Sequence, residues 1–207
     1  MLEEKDMSTG RMEAYSDAVI AIIITIMVLE LKVPHGTDLA DLLTLWPKFL
    51  SYVLSFLVLS IYWVNHHRML RMAKRTDNRM LWFNNLLLFF LSLIPFTTAY
   101  MGEHNFAPFA TALYAGMLLV CGTAYLALWS AIARHHDHEP EFTALARAAR
   151  RKNYVGLGIY TVSIPLAFVH PSITVIMAFT VACLYFIPEM WLEEGKKIIS
   201  LYEAMYG

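Results

Sequence analysis

The sequence has few charged residues for its length. Only 16% of its 207 residues are Asp, Glu, Lys or Arg, and 58% are hydrophobic, whereas soluble domains carry about 25% charged residues. The formal net charge is −1, and nucleic-acid binding needs an excess of cationic side chains. The composition therefore disfavours a soluble domain and a nucleic-acid partner. It favours a chain that places apolar side chains in lipid.

Cysteine is also scarce, and no motif typical of catalysis or cofactor binding is found. Cys121 and Cys183 lie within apolar runs, so we predict two buried thiols and no disulfide framework. No nucleotide-binding loop, zinc-protease helix or nucleophile elbow occurs in the sequence. Residues 135–139 contain His, Asp and Glu, but no second ligand cluster accompanies them, so we predict a solvated loop and no metal site. We expect neither enzymatic activity nor a cofactor.

The sequence does contain long hydrophobic runs. A bilayer core needs roughly 20 apolar helical residues. The predicted spans cover about residues 12–33, 46–68, 80–102, 105–133, 153–170 and 171–190. Pro95 and Pro165 are predicted to kink their spans, and a short helix over residues 141–151 is predicted in the loop between spans four and five. The predicted fold is all-α, a single domain and an integral membrane protein of six transmembrane helices.

The first of these spans has charged residues inside its predicted limits. Its uncharged stretch runs from Ala18 to Leu29, between Asp17 and Glu30, and at about 1.5 Å per residue it covers roughly 18 Å. That length is too short for a helix that faces lipid. The segment is either an interfacial or core helix, or a full span whose charged ends are shielded by protein and water. We favour the second alternative because the charge distribution requires a sixth crossing.

The distribution of Lys and Arg predicts the orientation in the membrane. All but two of the sixteen Lys and Arg residues lie before span one, between spans two and three, between spans four and five, or after span six. The exceptions are Lys32 and Lys48. Because cytoplasmic loops are enriched in Lys and Arg, both termini are predicted to be cytoplasmic. We expect a multi-pass protein of the cell inner membrane, in contact with the lipid bilayer.

The first span carries a continuous apolar stripe. Ile22, Thr25 and Leu29 have the spacing i, i+3, i+7 and share one helix face, and Ile26 adjoins them. Such a face can line a narrow pore when several copies surround an axis, because rings of bulky aliphatic side chains shed water. The alternative is that the stripe is an ordinary helix-packing surface. Periodicity by itself favours the packing alternative.

Polar residues gather at the predicted cytoplasmic end of the first three spans. The candidates are Arg11, Ser16, Asp17, Asn65, His66, His67, Asn84 and Asn85. One interpretation is a network that holds the first helix in place at a gate, in which residues of spans two and three are partners of Asp17. Another is a structural cap formed by Ser16 or Asp17, and the sequence leaves both open. A proton relay through His66 or His67 is a further alternative.

The first span also resembles a known signature. The pattern Arg11-x-x-x-Tyr15-Ser16-Asp17, followed by an Ile/Thr/Leu helix ending in Leu-Glu-Leu-Lys-Val-Pro at residues 29–34, resembles that of the transmembrane protein 175 family. This family comprises the lysosomal potassium channels of animals and their shorter prokaryotic relatives. The family pattern has Phe where this chain has Tyr15. The segments Trp-Val-Asn-His-His at 63–67 and Asn-Asn at 84–85 support the resemblance.

The resemblance implies a potassium-permeable cation channel without the Thr-Val-Gly-Tyr-Gly carbonyl filter, and that motif is absent from this sequence. Family members arrange the first helices around a central pore, so a single six-helix unit implies a homotetramer. By position, Ile22 would form the main constriction, Leu29 a second apolar pore residue and Thr25 a pore-facing hydroxyl. Arg11, Ser16 and Asp17 would belong to the polar network. The resemblance therefore favours pore lining over packing, with potassium ions and copies of the chain as partners.

Two other functions remain open at this point. One is a secondary transporter or proton-coupled permease that uses Asp17 and the His66/His67 region. The other is a non-conducting membrane scaffold, in which the first helix is buried without an axial water path. The position of the first helix in the assembled protein distinguishes all three alternatives.

Overall fold

A computed structural model describes residues 9–73, 75–134 and 140–186 of the chain, without the side chains of residues 140–145 and 186. All regular secondary structure in these ranges is helical, which confirms the all-α prediction. The helices are α1 (Thr9–Leu29), α2 (Leu39–Leu43), α3 (Trp46–Arg71), α4 (Asn78–Ser92), α5 (Ile94–Glu103), α6 (Pro108–Ala133), α7 (Pro140–Leu166) and α8 (Pro171–Phe186).

Four stretches are long and apolar enough to cross a membrane. They are α1, α3, the consecutive pair α4–α5, and α6, with lengths of 21 to 26 residues. Helix α8 is apolar but shorter in its described part. The chain therefore has the character of a membrane protein with several crossing helices.

Helix α1 ends earlier than its predicted span. The helix stops at Leu29, whereas the sequence placed the end of the span at Val33. The N–H groups of Glu30 and Leu31 donate to carbonyls three residues back, at 3.3 and 3.1 Å, which tightens the last turn. Pro34 follows shortly after, and a residue before proline is disfavoured in helical geometry.

The third predicted span consists of two helices that meet at Leu93. Pro95 lies in the first turn of α5. The absence of an N–H group on proline costs no hydrogen bond there, because N–H groups of the first turn have no partner within the helix. Hydroxyl groups bind carbonyls around this break: Ser92 donates to Phe89 O at 2.7 Å, and Thr98 donates to Ile94 O at 2.7 Å. The break therefore lies where proline was expected to interrupt the run.

Helix α7 joins two segments that were predicted to be separate. The loop helix over residues 141–151 and the start of the fifth span form one continuous helix, Pro140–Leu166. Residues 141–155 contain neither proline nor glycine and are rich in Ala and Arg, which favours an uninterrupted helix. Trp129 Nε1 of α6 donates to Ala146 O at 3.4 Å. Residues 135–139 and 187–190, which carry the predicted solvated loop and the end of span six, lie outside the described residues.

Helix α6 is the most buried of the crossing helices and packs against α4, α5, α7 and α8. Cys121 lies on this helix and is buried, as predicted, but Cys183 on α8 is exposed. The prediction of a buried Cys183 was therefore wrong. Cys183 shares one face of α8 with Ile176 and Phe179, and this face is exposed among the described residues.

Candidate functional site

Helix α1 has two distinct faces. Met12, Ser16, Ile20, Ile23 and Met27 are buried, and their spacing of three and four residues forms one stripe. This stripe packs against α3, α4 and α5. The helix is therefore anchored along one side, and the described residues leave its other side uncovered.

The uncovered side contains the predicted stripe. Ile22 is 56% exposed, Ile26 44% and Leu29 76%. Thr25 is also exposed, and its hydroxyl donates to Ile22 O at 2.8 Å, so the Thr25 oxygen keeps acceptor capacity for another donor or a cation. The stripe is thus an apolar surface with one hydroxyl oxygen in its middle.

A buried chain of hydrogen bonds joins α1 to α3 and α4. Ser16 Oγ donates to Met12 O at 2.8 Å and accepts from Asn84 Nδ2 at 2.9 Å. Asn84 Oδ1 lies 2.7 Å from His66 Nε2. Because the amide nitrogen of Asn84 is already donating to Ser16, the His66 ring donates from Nε2. The side-chain oxygen of Ser16 and both polar side-chain atoms of Asn84 have hydrogen-bond partners in this series. His66 Nδ1 is buried without a hydrogen-bond partner among the described residues.

A second polar cluster lies beside the buried chain, at the same end of the bundle. We call Glu13, Asp17 and His67 the carboxylate–histidine cluster. His67 Nδ1 lies 2.7 Å from Glu13 Oε1, and Asp17 Oδ1 accepts from Trp63 Nε1 at 2.9 Å. The ring of Trp63 stacks on His67 with an interplanar angle of 26°. The cluster therefore connects α1 to α3 through charged groups and one indole.

The two clusters contain some of the predicted polar residues and omit others. Asn65 donates to Ile61 O of its own helix at 2.8 Å and does not join. Arg11 is exposed and makes no hydrogen bond or ion pair within the described ranges. Asn85 is exposed on α4. Among the described residues, no hydrogen bond or ion pair joins Arg11 or Asn65 to Ser16 or Asp17, and the Asn65 amide is bound to its own helix.

Two residues of the site were not selected from the sequence. Glu13 precedes Asp17 by four residues, and Trp63 precedes His67 by four, so each pair lies on one helix face. The spacing of four residues could have indicated from the sequence that the members of each pair lie close together. Amide and histidine side chains were the expected partners of Asp17, whereas its partner in the structure is the indole N–H of Trp63.

The part of the chain that carries the site matches a known protein family. The sequence profile described as Endosomal/lysosomal potassium channel TMEM175 matches residues 11–95. A protein named as a potassium channel from Chryseobacterium sp. (strain P1-3) is 40% identical over 193 residues, covering 92% of this chain and 99% of that protein. The chain belongs to the TMEM175 family.

A solved structure supports the family assignment at the level of fold. The crystal structure of a lysosomal potassium-selective channel TMEM175 homolog from Chamaesiphon minutus matches with a TM-score of 0.76 and 34% identity, covering 86% of this chain and 95% of that chain. A human relative named endosomal/lysosomal proton channel TMEM175 is 25% identical over 199 residues, which cover 93% of this chain and 37% of the human protein. These relatives are named as ion channels and not as enzymes.

Proposed function

We propose that this TMEM175-family chain forms a potassium-permeable channel in the cell inner membrane, with four copies arranged around their α1 helices. The observation that carries the proposal is the exposed apolar stripe on α1. A lipid-facing span needs roughly 20 apolar residues, whereas only residues 18–29 are uncharged between Asp17 and Glu30, and charged groups within a span are costly outside a protein interior or a wet cavity. Copies of the chain around a central axis would cover the stripe and leave those charges near water.

The proposed topology has six crossings with both termini in the cytoplasm. Helices α7 and α8 would supply the fifth and sixth crossings. The Lys and Arg residues of the predicted cytoplasmic segments support this orientation. In this arrangement the carboxylate–histidine cluster and the Ser16–Asn84–His66 chain lie at the cytoplasmic end of the pore.

The proposed pore has a hydrophobic constriction and no carbonyl filter. Four Ile22 side chains around an axis would form a ring that sheds water and stops ions when it is narrow. Thr25, about one turn further along, would offer hydroxyl oxygens to a cation beyond the ring. Leu29 and Ile26 would complete the apolar lining.

The constriction is tested by Ile22→Asn in liposomes loaded with potassium. A polar side chain in the ring should hold water, so the initial rate of potassium efflux should rise and the preference over sodium should fall. Ile176→Asn is the matched control, because Ile176 is similarly exposed on an apolar helix, at 64% against 56% for Ile22, but lies on α8. If both variants behave like the parent protein, Ile22 does not form the gate.

The transporter alternative is supported by the titratable groups of the carboxylate–histidine cluster. It predicts flux that saturates with substrate, depends on pH and disappears in Asp17→Asn. The channel predicts potassium flux that increases with driving force without saturation. A scaffold predicts no flux in vesicles that contain well-folded protein. The mass of the detergent-solubilised assembly separately tests the proposed tetramer.

A further inference from the structure

The carboxylate–histidine cluster combines three metal-ligand side chains from two helices. One ligand atom each of Glu13, Asp17 and His67 lies within 4.8 Å of the other two. Tetrahedral ligands about 2.0–2.2 Å from a zinc ion are roughly 3.3–3.6 Å apart. The separations in the cluster therefore need to change by about 1 Å, which side-chain rotation can supply.

The contact between His67 and Glu13 within the cluster gives a second indication. The Nδ1 atom of His67 is inaccessible to solvent and forms no linear hydrogen bond, although Glu13 Oε1 lies at 2.7 Å. The nitrogen is thus directed at a carboxylate in a contact whose geometry does not suit a hydrogen bond. A cation bound by both atoms would use a lone pair of each, and the two atoms would have to separate from 2.7 Å to about 3.3–3.6 Å.

Trp63 holds two of the three ligands in orientation. Its indole N–H donates to Asp17 Oδ1 at 2.9 Å, and its ring stacks on His67. Metal ligands are commonly oriented by such outer contacts. The second carboxylate oxygen of Asp17 remains available to a metal while the first stays bound to Trp63.

We propose that Glu13, Asp17 and His67 form a binding site for a divalent transition-metal ion of the zinc type, one per chain, which joins α1 to α3. Two carboxylates and one imidazole suit Zn²⁺ in a four-coordinate site with water as the fourth ligand. Calcium prefers six to eight oxygen ligands, so the imidazole and the small number of donors disfavour it. The site is separate from the Ile22 stripe and does not require the chain to conduct potassium.

The proposal is tested by titrating ZnCl2 into purified protein that carries no affinity tag. His135, His136 and His138 are replaced by Asn in every sample, because they are competing imidazoles. Calorimetry should give one zinc ion per chain, with a thermal-unfolding temperature that rises with zinc. X-ray absorption at the zinc edge should show nitrogen and oxygen at about 2.0–2.1 Å with one imidazole.

Variants then locate the site. His67→Gln and Glu13→Gln should each weaken zinc binding at least about ten-fold, and Trp63→Phe, which keeps an aromatic ring but removes the N–H, by roughly 10–100-fold. His35→Gln is the matched control, because His35 is exposed in the segment between α1 and α2, and it should bind as the parent does.

Three results would overturn the proposal. They are full zinc affinity in His67→Gln, an absorption spectrum without an imidazole, and calcium binding as tight as zinc binding. The absorption measurement uses protein in which only His135, His136 and His138 are replaced, so it decides the question even if a variant of the site fails to fold. None of these readouts measures ion flux, so loss of the site would leave the proposed channel standing, and a non-conducting protein would leave the metal site standing.

Discussion

The hydrogen-bonded chain between α1, α3 and α4 makes a quantitative prediction about stability. Asn84→Ala removes the bond from Asn84 Nδ2 to Ser16 at 2.9 Å and the bond between Asn84 Oδ1 and His66 at 2.7 Å. Interhelical hydrogen bonds in membrane proteins contribute on average about 0.6 kcal/mol and at most about 1.7 kcal/mol each. The two lost bonds therefore predict a decrease of about 1–3 kcal/mol in the free energy of unfolding.

Reversible unfolding in bicelles measures this change directly. Asn85→Ala is a close control, because it makes the same substitution at the next position of α4, where the side chain is exposed. It should change the free energy of unfolding by less than about 0.5 kcal/mol. The prediction compares the two variants, so effects of losing an asparagine from α4 cancel.

A double-mutant cycle with Ser16→Ala isolates one bond of the chain. If the bond between Asn84 and Ser16 stabilises the protein, the cycle should give a coupling free energy of about 0.6–1.7 kcal/mol. Equal effects of Asn84→Ala and Asn85→Ala, together with a coupling near zero, would refute the reasoning. The three helices would then be held together by apolar contacts and not by the hydrogen bonds of Ser16, Asn84 and His66.

Two further predictions concern other contacts in the bundle. Gly102→Ala places a Cβ 2.6 Å from Ser51 Oγ and 3.0 Å from Lys48 Cα, so it should decrease the free energy of unfolding by about 1–3 kcal/mol. Gly116→Ala is the control, because a Cβ at Gly116 meets nothing within 4 Å. It should be neutral or slightly stabilising in the same unfolding assay. Glu103→Gln removes a partly exposed ion pair at 3.4 Å with Lys48 and should lower the unfolding temperature only slightly, since such pairs contribute about 0–1 kcal/mol; a large decrease would contradict this estimate.

The helices were largely predictable because their signals are local. Uncharged runs of sufficient length and the position of Pro95 depend on neighbouring residues, and α3, α4–α5 and α6 follow from them. The end of α1 and the continuity of α7 were predicted less well. In α7 the sequence changes from charged to apolar at Asn153 without any helix-breaking residue. The change in polarity therefore predicted a helix boundary there, although the helix is continuous.

The sequence indicated the position of the polar residues along the helices, but not which of them contact one another. The charge distribution predicted that Ser16, His66 and Asn84 lie at one end of the bundle. The rotation of each helix about its own axis determines which side chains contact one another. Rotation turns Asn65 back onto its own helix and brings Trp63 to Asp17. A single sequence carries little information on the relative rotation of helices, because an apolar membrane helix can be apolar on every side.

The bond between Asn84 and Ser16 also determines how far α1 extends along the bundle. Ile22 follows Ser16 by six residues, which is about 9 Å along a helix axis. Sliding α1 by one turn would bring Met12 or Ile20 opposite Asn84, and neither side chain is a comparable acceptor. In the proposed assembly, every copy of the chain would therefore present Ile22 at the same height. Four side chains at equal height would narrow the proposed axial opening more than four staggered ones, so the buried amide of Asn84 would influence how completely that opening can close.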